Sequence, residues 1–351
     1  MLMGKELNLK KAILLDFIKQ NPLLSSKEIY EKIGADISYA TLKRVLQNLL
    51  SENLIEITGK AKATKYRLSK GYDLLYPINV NSYFEKEIDE RKINTGFNHS
   101  LLTSSLPDVA LFTQEELRQL NELQNVYTKN ISVLSKTEYN KELERLAIDL
   151  SWKSSQIEGN TYSLLETERL LKEKETAAGK TKDEAVMLLN HKDALDFIIE
   201  NPGYIAPLTL AGIEDIHSIL IKELGVERNI RKRRVGISGT NYVPIDNEFQ
   251  IREALENMCS LVNLQTNVFA KALLALVLLS YIQPFTDGNK RTGRIISNAI
   301  LINHHYCPIS FRTIDSVEYK KAMLIFYEQN NISAFKRIFI SQFEFAVKTY
   351  F

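Results

Sequence analysis

Apolar residues recur at helical spacing along most of the chain, which predicts a mainly α-helical protein. The first such stretch covers residues 10–20, and Asn21-Pro22 ends it because proline cannot continue a helix. Its predicted inward face carries four apolar side chains, Ile13, Leu14, Phe17 and Ile18.

Two further helices and a pair of short strands follow. Ser25 and Ser26 can cap the second helix and Gly34 stops it, while Ser38 begins the third. Two β-like runs, 54–58 and 64–68, are separated by a basic turn. The third helix places five residues inward, Leu42, Val45, Leu46, Leu49 and Leu50. Three helices followed by a two-stranded wing resemble a winged helix-turn-helix, which we assign to residues 1–72.

That resemblance implies a DNA-binding surface on the first module. In a winged helix the third helix enters the major groove, and basic residues of the wing contact phosphates. The residues in these positions are Tyr39, Thr41, Lys43, Arg44, Lys60 and Lys62. Modules of this kind also dock proteins or dimerise, and the third helix carries only two cations. Double-stranded DNA and a protein partner therefore both stay open.

The rest of the chain predicts a helical body with one interruption. Residues 73–110 are rich in Asn, Gly, Ser and Pro and predict a linker with short helices. Thr113 and Glu116 form a capping box that opens the helical run. Residues 234–245 contain β-branched residues interrupted by Gly and Pro, a pattern that predicts a β-hairpin or flap. We divide this part into a body, 111–320, and C-terminal helices, 321–351, packed on it.

Composition and charge narrow the class of protein. The 351 residues include 45 basic and 43 acidic side chains. Residues 1–70 contain 13 basic and 7 acidic side chains, so the excess of positive charge lies in the first module. Two cysteines exclude a disulfide framework and a cysteine-rich zinc site. The most apolar run, 272–279, is too short to cross a membrane, and the N-terminus has no secretory pattern. We therefore expect a cytoplasmic protein without a membrane partner.

The clearest chemical motif is the stretch 283–294, Gln-Pro-Phe-Thr-Asp-Gly-Asn-Lys-Arg-Thr-Gly-Arg. Pro284 ends an apolar helix, Gly288 permits a tight loop, and a new helix is expected from about Thr292. A loop at a helix N-terminus, edged by cations, is an anion site, and a lone carboxylate beside phosphates is a common Mg²⁺ ligand. The alternative is a basic loop that only caps a helix.

This stretch closely resembles the signature of the Fic family, His-Pro-Phe-x-Asp/Glu-Gly-Asn-x-Arg-x-x-Arg, at eleven of its twelve positions. The resemblance extends over about residues 110–320, through Asn190-His191, Ile216-His217 and the flap. It implies a nucleotide-binding protein that uses ATP and Mg²⁺ and, in most members, transfers AMP to Ser, Thr or Tyr hydroxyls of a target protein.

The same resemblance implies roles for individual residues. Asp287 would hold Mg²⁺, and Gly288, Asn289, Lys290, Arg291, Gly293 and Arg294 would surround the phosphates. The flap residues Ile237, Ser238, Gly239 and Tyr242 would clamp a target segment by main-chain pairing, although Tyr242 is equally a packing residue. His191 and His217 are expected to be packing histidines.

One departure from the signature bears directly on catalysis. The family histidine that acts as general base is replaced by Gln283. A carboxamide cannot accept a proton near pH 7, and loss of a general base typically slows a reaction by about 10²–10⁴-fold. A nucleotide-binding pseudoenzyme or sensor, a slow transferase and different chemistry in the same pocket remain alternatives, and so does an engineered replacement of the histidine.

A second family feature lies about 125 residues upstream. Ser154, Glu158 and Gly159 resemble the inhibitory motif Ser/Thr-x-x-x-Glu-Gly/Asn, in a helix expected near 145–160. Ser154 and Glu158 are one helical turn apart, and Glu158 would pair in bidentate fashion with Arg294 and block a productive ATP pose. The alternative is an ordinary helix end capped by Gly159.

Three functions follow from these observations. The first is a self-inhibited Fic-type nucleotide-binding protein with weak or absent AMP transfer. The second is a DNA-binding regulator that uses the Fic body as a nucleotide sensor. The third is a scaffold whose first module docks a target for the body. The sequence is also compatible with a homo-oligomer.

Overall fold

The computed structural model describes residues 2–34 and 37–351, except for the side chains of residues 2–8 and 62. The chain divides into two compact units. The first comprises Met1–Pro77 and Asp108–Leu117, and the second comprises Ile78–Pro107 and Arg118–Phe351. The protein is mainly α-helical, as predicted, and its described residues contain a single two-stranded sheet.

The first unit follows the predicted order of elements. Its helices and strands are α1 (Leu2–Gln20), α2 (Ser26–Lys32), α3 (Tyr39–Ser51), β1 (Ile55–Thr58), β2 (Lys65–Leu68) and α4 (Tyr72–Leu75). The Ser25 hydroxyl accepts from the Glu28 amide, and the Ser38 hydroxyl accepts from the Thr41 amide, so both predicted caps are present. The strands are antiparallel, with Ile55 opposite Leu68. The identification of this unit as a winged helix remains a prediction.

The predicted inward face of α1 was partly wrong. Ile13 is 39% exposed, whereas Leu15, which was not predicted, is buried. The helix begins eight residues before the predicted start, and its buried face is centred on Leu14, Leu15 and Ile18. In α3 four of the five predicted residues are buried, and Leu50 is only partly buried.

The second unit is a helical bundle. The boundary between the units falls within α6, and the helices are α5 (Val80–Phe84), α6 (Gln114–Ile131), α7 (Lys136–Ile157), α8 (Leu164–Glu173), α9 (Lys182–Glu200), α10 (Leu210–Leu220), α11 (Glu248–Leu264), α12 (Val268–Ile282), α13 (Asn289–Asn303), α14 (Ser316–Gln329) and α15 (Ser333–Tyr350). From Ala272 to Ile282 every side chain of α12 is buried, and α12 packs on α11 and α13. This apolar helix places the start of α13 deep in the bundle.

Local signals in the sequence explain where several helices begin. The Thr113 amide donates to the Glu116 carboxylate at 2.7 Å, and the Glu116 amide donates back to the Thr113 hydroxyl, as the capping box predicts. The same reciprocal pattern joins Ser135 to Glu138 at the start of α7. In the described part of the chain no helix is both long and apolar enough to span a bilayer.

The flap differs from the predicted hairpin. Residues 234–245 turn at Ser238-Gly239, where Gly239 has a φ of +87°, but the described residues form no ladder between the two arms of the turn. We call residues 235–238 the ingoing arm and residues 240–243 the outgoing arm. The outgoing arm makes one parallel bridge, from Val243 to Gly96.

Candidate functional site

The loop between α12 and α13 is shaped by two residues in the left-handed region. Gln283 ends α12 with a φ of +52°, and Gly288 precedes α13 with a φ of +82°. A Cβ at Gly288 would lie 3.3 Å from the His217 ring, so glycine satisfies both the backbone and the space. The Thr292 amide donates to the Gly288 carbonyl, and α13 therefore begins at Asn289, three residues before the predicted start.

This earlier start strengthens the anion site. The amides of Asn289, Lys290 and Arg291 now belong to the first turn of a helix, ahead of the first intrahelical hydrogen bond. Such amides, together with the helix dipole, attract negative charge. Asn289 and Lys290 lie at one wall of a cavity of about 400 Å³.

The cavity is built from four parts of the second unit. These are the end of α7 (Ile157 and Glu158), the ingoing arm of the flap, the loop (Gln283 and residues 286–290) and one face of α14 (Tyr319, Lys320, Met323, Leu324 and Tyr327). The predicted site residues Glu158, Ile237, Ser238, Gln283, Asp287, Gly288, Asn289 and Lys290 all line it. A polar loop faces a partly apolar helix, so the cavity suits a molecule with a charged and an apolar end.

Asp287 is placed where a carboxylate can meet a cation and phosphates together. Its side chain is 64% exposed, with one oxygen accepting from the Gly288 amide at 2.6 Å and the other from Arg291 at 3.1 Å. Among the described residues, no group of three or more His, Cys, Asp or Glu is placed to hold a metal ion. A single carboxylate fits Mg²⁺ when phosphates and water complete the coordination shell.

Gln283 and Asn289 form a closed network of amides. The Gln283 Nε2 donates to the Ser280 carbonyl at 2.7 Å, and its Oε1 accepts from the Asn289 Nδ2 at 3.0 Å. The Asn289 side chain also accepts from the Phe285 amide and donates to the Phe285 carbonyl, both at 2.8 Å. Both carboxamides are buried, so they fix the loop.

Three of the predicted phosphate-binding residues, Arg291, Gly293 and Arg294, are not part of the cavity lining. The buried Arg291 guanidinium donates to the Leu220 carbonyl and to Asp287. Gly293 faces α12, where a Cβ would lie 3.0 Å from the Leu276 carbonyl oxygen, so its part is close helix packing. The structure therefore brings Lys290, and not Arg291, to the surface of the cavity.

Glu158 is held at the cavity by two cations. Its Oε1 accepts from the Arg294 Nη2 at 2.7 Å, and its Oε2 lies 3.1 Å from the Lys290 Nζ. The carboxylate thus divides its oxygens between two partners, in place of the expected bidentate pair with Arg294 alone. Arg294 also donates from Nε to the Ser154 hydroxyl at 2.8 Å. We call the group Ser154, Glu158, Lys290 and Arg294 the latch.

The latch is strongly charged in the folded protein. Burial by itself would raise the pKa of Glu158, but the charges of Arg294 and Lys290 outweigh it and lower the pKa to about 2. The Arg294 side chain is fully buried, and Glu158 is 19% exposed. Gly159, with a φ of +102°, follows α7, so the motif also ends the helix as the alternative held.

The flap is anchored by a residue that the sequence analysis missed. The buried Arg231 donates from Nε to the Gln283 carbonyl at 2.6 Å, from Nη1 to the Arg233 carbonyl at 2.8 Å and from Nη2 to the Ile245 carbonyl. One guanidinium thus joins the start of the loop to both ends of the flap. Nothing in the basic run 231–234 distinguishes Arg231 from its exposed neighbours.

Tyr242 belongs to the core. Its ring stacks 5.0 Å from Tyr281, and its hydroxyl donates to the Tyr281 carbonyl. Gly239 lies at the tip of the flap, near Leu324. Tyr319 and Tyr327 on α14 were also missed, and within the described part of the chain their buried hydroxyls have no hydrogen-bond partner. No local pattern marks them, because they reach the cavity only after α14 folds back on the bundle.

The two core histidines differ in their surroundings. His217 lies 3.0 Å from the Asp287 carbonyl through Nε2 and stacks on Phe285 at 3.6 Å, so it supports the loop. Burial lowers its pKa to about 4. His191 is fully buried, and burial holds its pKa well below the ordinary range. Neither ring lines the cavity.

The predicted DNA-binding residues form part of the surface of the first unit. Lys43, Arg44 and Lys60 are exposed, and Thr41 is partly buried next to the Ser38 cap. The Tyr39 hydroxyl lies 3.0 Å from that of Ser26, and Lys43 stands over the Tyr39 ring. The side chain of Lys62 lies outside the described residues.

Comparison with known proteins places part of this architecture in a family. Residues 207–301 match the Fic/DOC family, so the chain contains a Fic/DOC domain. A protein adenylyltransferase Fic from Nematostella vectensis is 31% identical over 172 residues, and the match covers 47% of this chain and 40% of that protein. The protein adenylyltransferase fic-1 of Caenorhabditis elegans is 25% identical over 171 residues, and the match covers 46% of this chain and 33% of that protein. The chain thus spans about a third to two-fifths of these curated relatives.

Solved structures show the same fold. Fic-1 (residues 134–508) of C. elegans superposes with a TM-score of 0.58 at 20% identity, over 67% of this chain and 72% of that one. A Fic domain containing signaling protein from Bacteroides thetaiotaomicron gives a TM-score of 0.57 at 19% identity, and the match covers 66% of this chain and 94% of that one. At these identities the likeness concerns the fold alone.

Proposed function

We propose that the second unit binds ATP with Mg²⁺ in the cavity and that the latch holds it in a self-inhibited state. The observation that carries this proposal is the contact between Glu158 and Arg294 at the first turns of α13. Arg294 is a buried cation at a helix N-terminus whose Nη2 is occupied by a carboxylate of the same chain. A phosphate would compete for the same guanidinium, because both anions accept hydrogen bonds in the same geometry.

Three features support a nucleoside triphosphate as the occupant. The first-turn amides of α13 and Lys290 offer donors to phosphate oxygens, and Asp287 offers a ligand to the accompanying Mg²⁺. The opposite wall holds Met323, Leu324 and Tyr327, which suit an apolar, aromatic base. Relatives of this chain are named protein adenylyltransferases, which makes ATP the natural candidate.

The native chain is expected to transfer AMP weakly or not at all. The position of the family base is occupied by Gln283, whose amide already donates to Ser280 and accepts from Asn289. A carboxamide held in this way takes no proton from an attacking hydroxyl. If a hydroxyl-bearing target binds, we place it on the ingoing arm of the flap, which borders the cavity beside Gln283.

Calorimetry with ATP and Mg²⁺ tests this proposal directly. We expect Glu158→Gly to bind ATP at least about tenfold more tightly than the native chain, because the guanidinium no longer has an internal partner. The matched control is Glu344→Gly, which removes a partly exposed carboxylate on α15 that pairs with Lys348. Absence of ATP binding by both the native chain and Glu158→Gly would reject the proposal.

A second function has its own support in the first unit. Lys43, Arg44 and Lys60 leave a cationic surface next to a two-stranded wing, which suits the DNA backbone. We infer that the first unit binds double-stranded DNA as a winged helix, so that the whole chain would act as a regulator. Fluorescence anisotropy with a random duplex at low salt should show binding that weakens as salt is added, and Lys43→Ala with Arg44→Ala should lower the salt slope by about two. If no binding is seen at low salt, DNA binding by the first unit is rejected, and docking of a protein partner is the alternative that remains.

A further inference from the structure

A segment of the second unit runs along the flap and is not explained by nucleotide binding. It comprises residues 88–98, between α5 and α6, and we call it the strap. It begins with a short 3₁₀ turn, Ile88–Glu90, and continues to Asn98 without helix or strand, apart from one bridge at Gly96. Its sequence shows no motif, and it lies within the region that the sequence analysis assigned to a linker.

The strap pairs with the tip and the outgoing arm of the flap at three places. The Arg91 Nη2 donates to the Gly239 carbonyl at 2.8 Å, at the tip. The Asn241 side chain donates to the Asp89 carboxylate at 2.9 Å. The Val243 amide donates to the Thr95 carbonyl at 2.9 Å.

Arg91 is held in place by a buried carboxylate. Its side chain is 4% exposed, that of Glu328 on α14 is fully buried, and the Arg91 Nη2 lies 3.4 Å from the Glu328 Oε1. The other oxygen of Glu328 accepts from the Tyr83 hydroxyl at 2.6 Å. Removal of one partner of a buried pair leaves an unpaired charge, which is costly, so the pair fixes the position of Arg91 firmly.

The far end of the strap is fixed to α12. Phe97 stacks on Tyr281 at 4.7 Å, and the Asn98 amide donates to the Tyr281 hydroxyl at 2.9 Å. Tyr281 in turn stacks on Tyr242 of the outgoing arm. The strap is therefore held at both ends by helices that also border the loop.

The ingoing arm has no such partner. Within the described residues, the amides and carbonyls of residues 235–238 make no hydrogen bond to other main-chain groups. The same four residues line the cavity. An unpaired extended segment is a template for strand addition, whereas a segment already paired is closed to it.

We propose that the strap is the built-in strand partner of the flap and that Arg91 is the positioning residue that holds the flap tip. Consequently the ingoing arm is the one edge of the flap left to an extended polypeptide segment bearing a hydroxyl side chain. The assignment of such a segment as target rests on the proposed function. The fixing of the flap by the strap does not.

Hydrogen exchange of the whole chain, without nucleotide and read at single-residue resolution by mass spectrometry, tests the proposal. In the native chain the Val243 amide should exchange slowly and the amides of residues 236–238 rapidly. In Arg91→Met the Val243 amide should exchange at least about tenfold faster, because the tip loses its donor. Lys92→Met removes the adjacent, exposed cation of the strap and should change the rate less than about twofold.

Two further variants separate positioning from general stability. Arg91→Lys keeps a cationic donor near Gly239 and should restore most of the protection of Val243. Glu328→Gln should loosen the flap in the same direction as Arg91→Met, and it serves in place of that variant if Arg91→Met does not fold. Unchanged exchange at Val243 in a folded Arg91→Met, or slow exchange at residues 236–238 in the native chain, would overturn the proposal.

Calorimetry with ATP on the same variants distinguishes this proposal from the preceding one. Suppose that neither the native chain nor Glu158→Gly binds ATP, but the Val243 amide exchanges faster in Arg91→Met. The proposal of nucleotide binding is then rejected, and the proposal that the strap fixes the flap is supported. If ATP binds as expected but the exchange rate of the Val243 amide is the same in Arg91→Met and the native chain, only the proposal about the strap is rejected.

Discussion

The two ends of the loop between α12 and α13 are built from different chemistry. The C-terminal end, from Gly288 to Arg294, carries the first-turn amides of α13 and three cations, and Glu158 at the end of α7 pairs with two of them, Lys290 and Arg294. The N-terminal end, from Gln283 to Phe285, is neutral, and its polar groups are tied to one another. The first end is equipped to exchange one anion for another, whereas the second has no group that can exchange a proton near pH 7.

This difference separates binding from chemistry. Stability alone does not explain the ion pair of Glu158 with Arg294, because a buried ion pair stabilises a fold poorly compared with apolar packing. If the second unit binds ATP as proposed, the latch is the group through which occupancy of the cavity would be controlled. On the same proposal, Gln283 leaves the neutral end without a group that accepts a proton near pH 7.

The largest expected effect comes from restoring a base at the neutral end. In the Glu158→Gly background, Gln283→His should raise the rate of AMP transfer from labelled ATP by about 10²–10⁴-fold, because imidazole can accept the hydroxyl proton. The measurement is incorporation of label into the chain itself or into an added lysate.

Gln283→Asn in the same background is the matched control, since it changes the side chain without supplying a base. It should give no gain. Equal labelling by the glutamine and the histidine chains would mean that another group acts as base, and the contrast between the two ends of the loop would be lost.

The next largest effect concerns the charged end. Arg294→Met leaves Glu158 without its closest cation and removes the hydrogen bond to Ser154, so we expect a loss of about 3–5 kcal/mol in the free energy of unfolding. Arg234→Met breaks an exposed pair with Asp246 and should cost less than about 1 kcal/mol. Urea unfolding of both variants measures the difference, and similar losses would show that the latch is no stronger than a surface pair.

A smaller, pH-dependent effect follows from Glu158. Its pKa is about 2 in the folded chain and ordinarily 4.5, so its ionised form is favoured by folding. The stabilisation is complete above about pH 4.5 and is lost as the pH falls from there towards 2, with an upper limit on the order of 3 kcal/mol. The difference in stability between the native chain and Glu158→Gln should therefore be constant near neutral pH and shrink below pH 4.5. A constant difference down to pH 2.5 would contradict the ion pairs of the latch.

The helices were predictable because local signals determine their ends. Ser25, Ser38 and Thr113 each bond to an amide of the first turn of their helix, and proline or a left-handed residue closes others. The start of α13 was missed because Asn289 to Arg291 look like loop residues, and only the left-handed Gly288 with the Asn289 network makes them helical. The flap was overpredicted as a hairpin, because its outgoing arm pairs through Val243 with Thr95 of the strap, about 150 positions away, and not with the ingoing arm.

The site divides in the same way. The spacing of Ser154 and Glu158 and the long signature allowed their residues to be identified, since each lies on one continuous segment. Arg231, Tyr319, Tyr327 and Arg91 were not identified. Their partners are main-chain carbonyls or distant side chains, and such contacts leave no trace in the composition or the periodicity of the segment that carries them.

The smallest effect that we predict tests whether the two cations of the latch are equivalent. Lys290 is 25% exposed and, among the residues that the structure describes, its side chain bonds only to the Oε2 of Glu158. Arg294 is fully buried and also bonds to Ser154. Lys290→Met should therefore cost less than about 1 kcal/mol in urea unfolding. Because it raises the folded-state pKa of Glu158, its acid-induced loss of stability should be smaller and should end at a higher pH than in the native chain. Its ATP affinity should change little, because a donor to phosphate is lost while Glu158 is held less firmly. If Lys290→Met instead binds ATP as tightly as Glu158→Gly, the position of Glu158 depends on Lys290 as much as on Arg294. The two cations would then be equivalent.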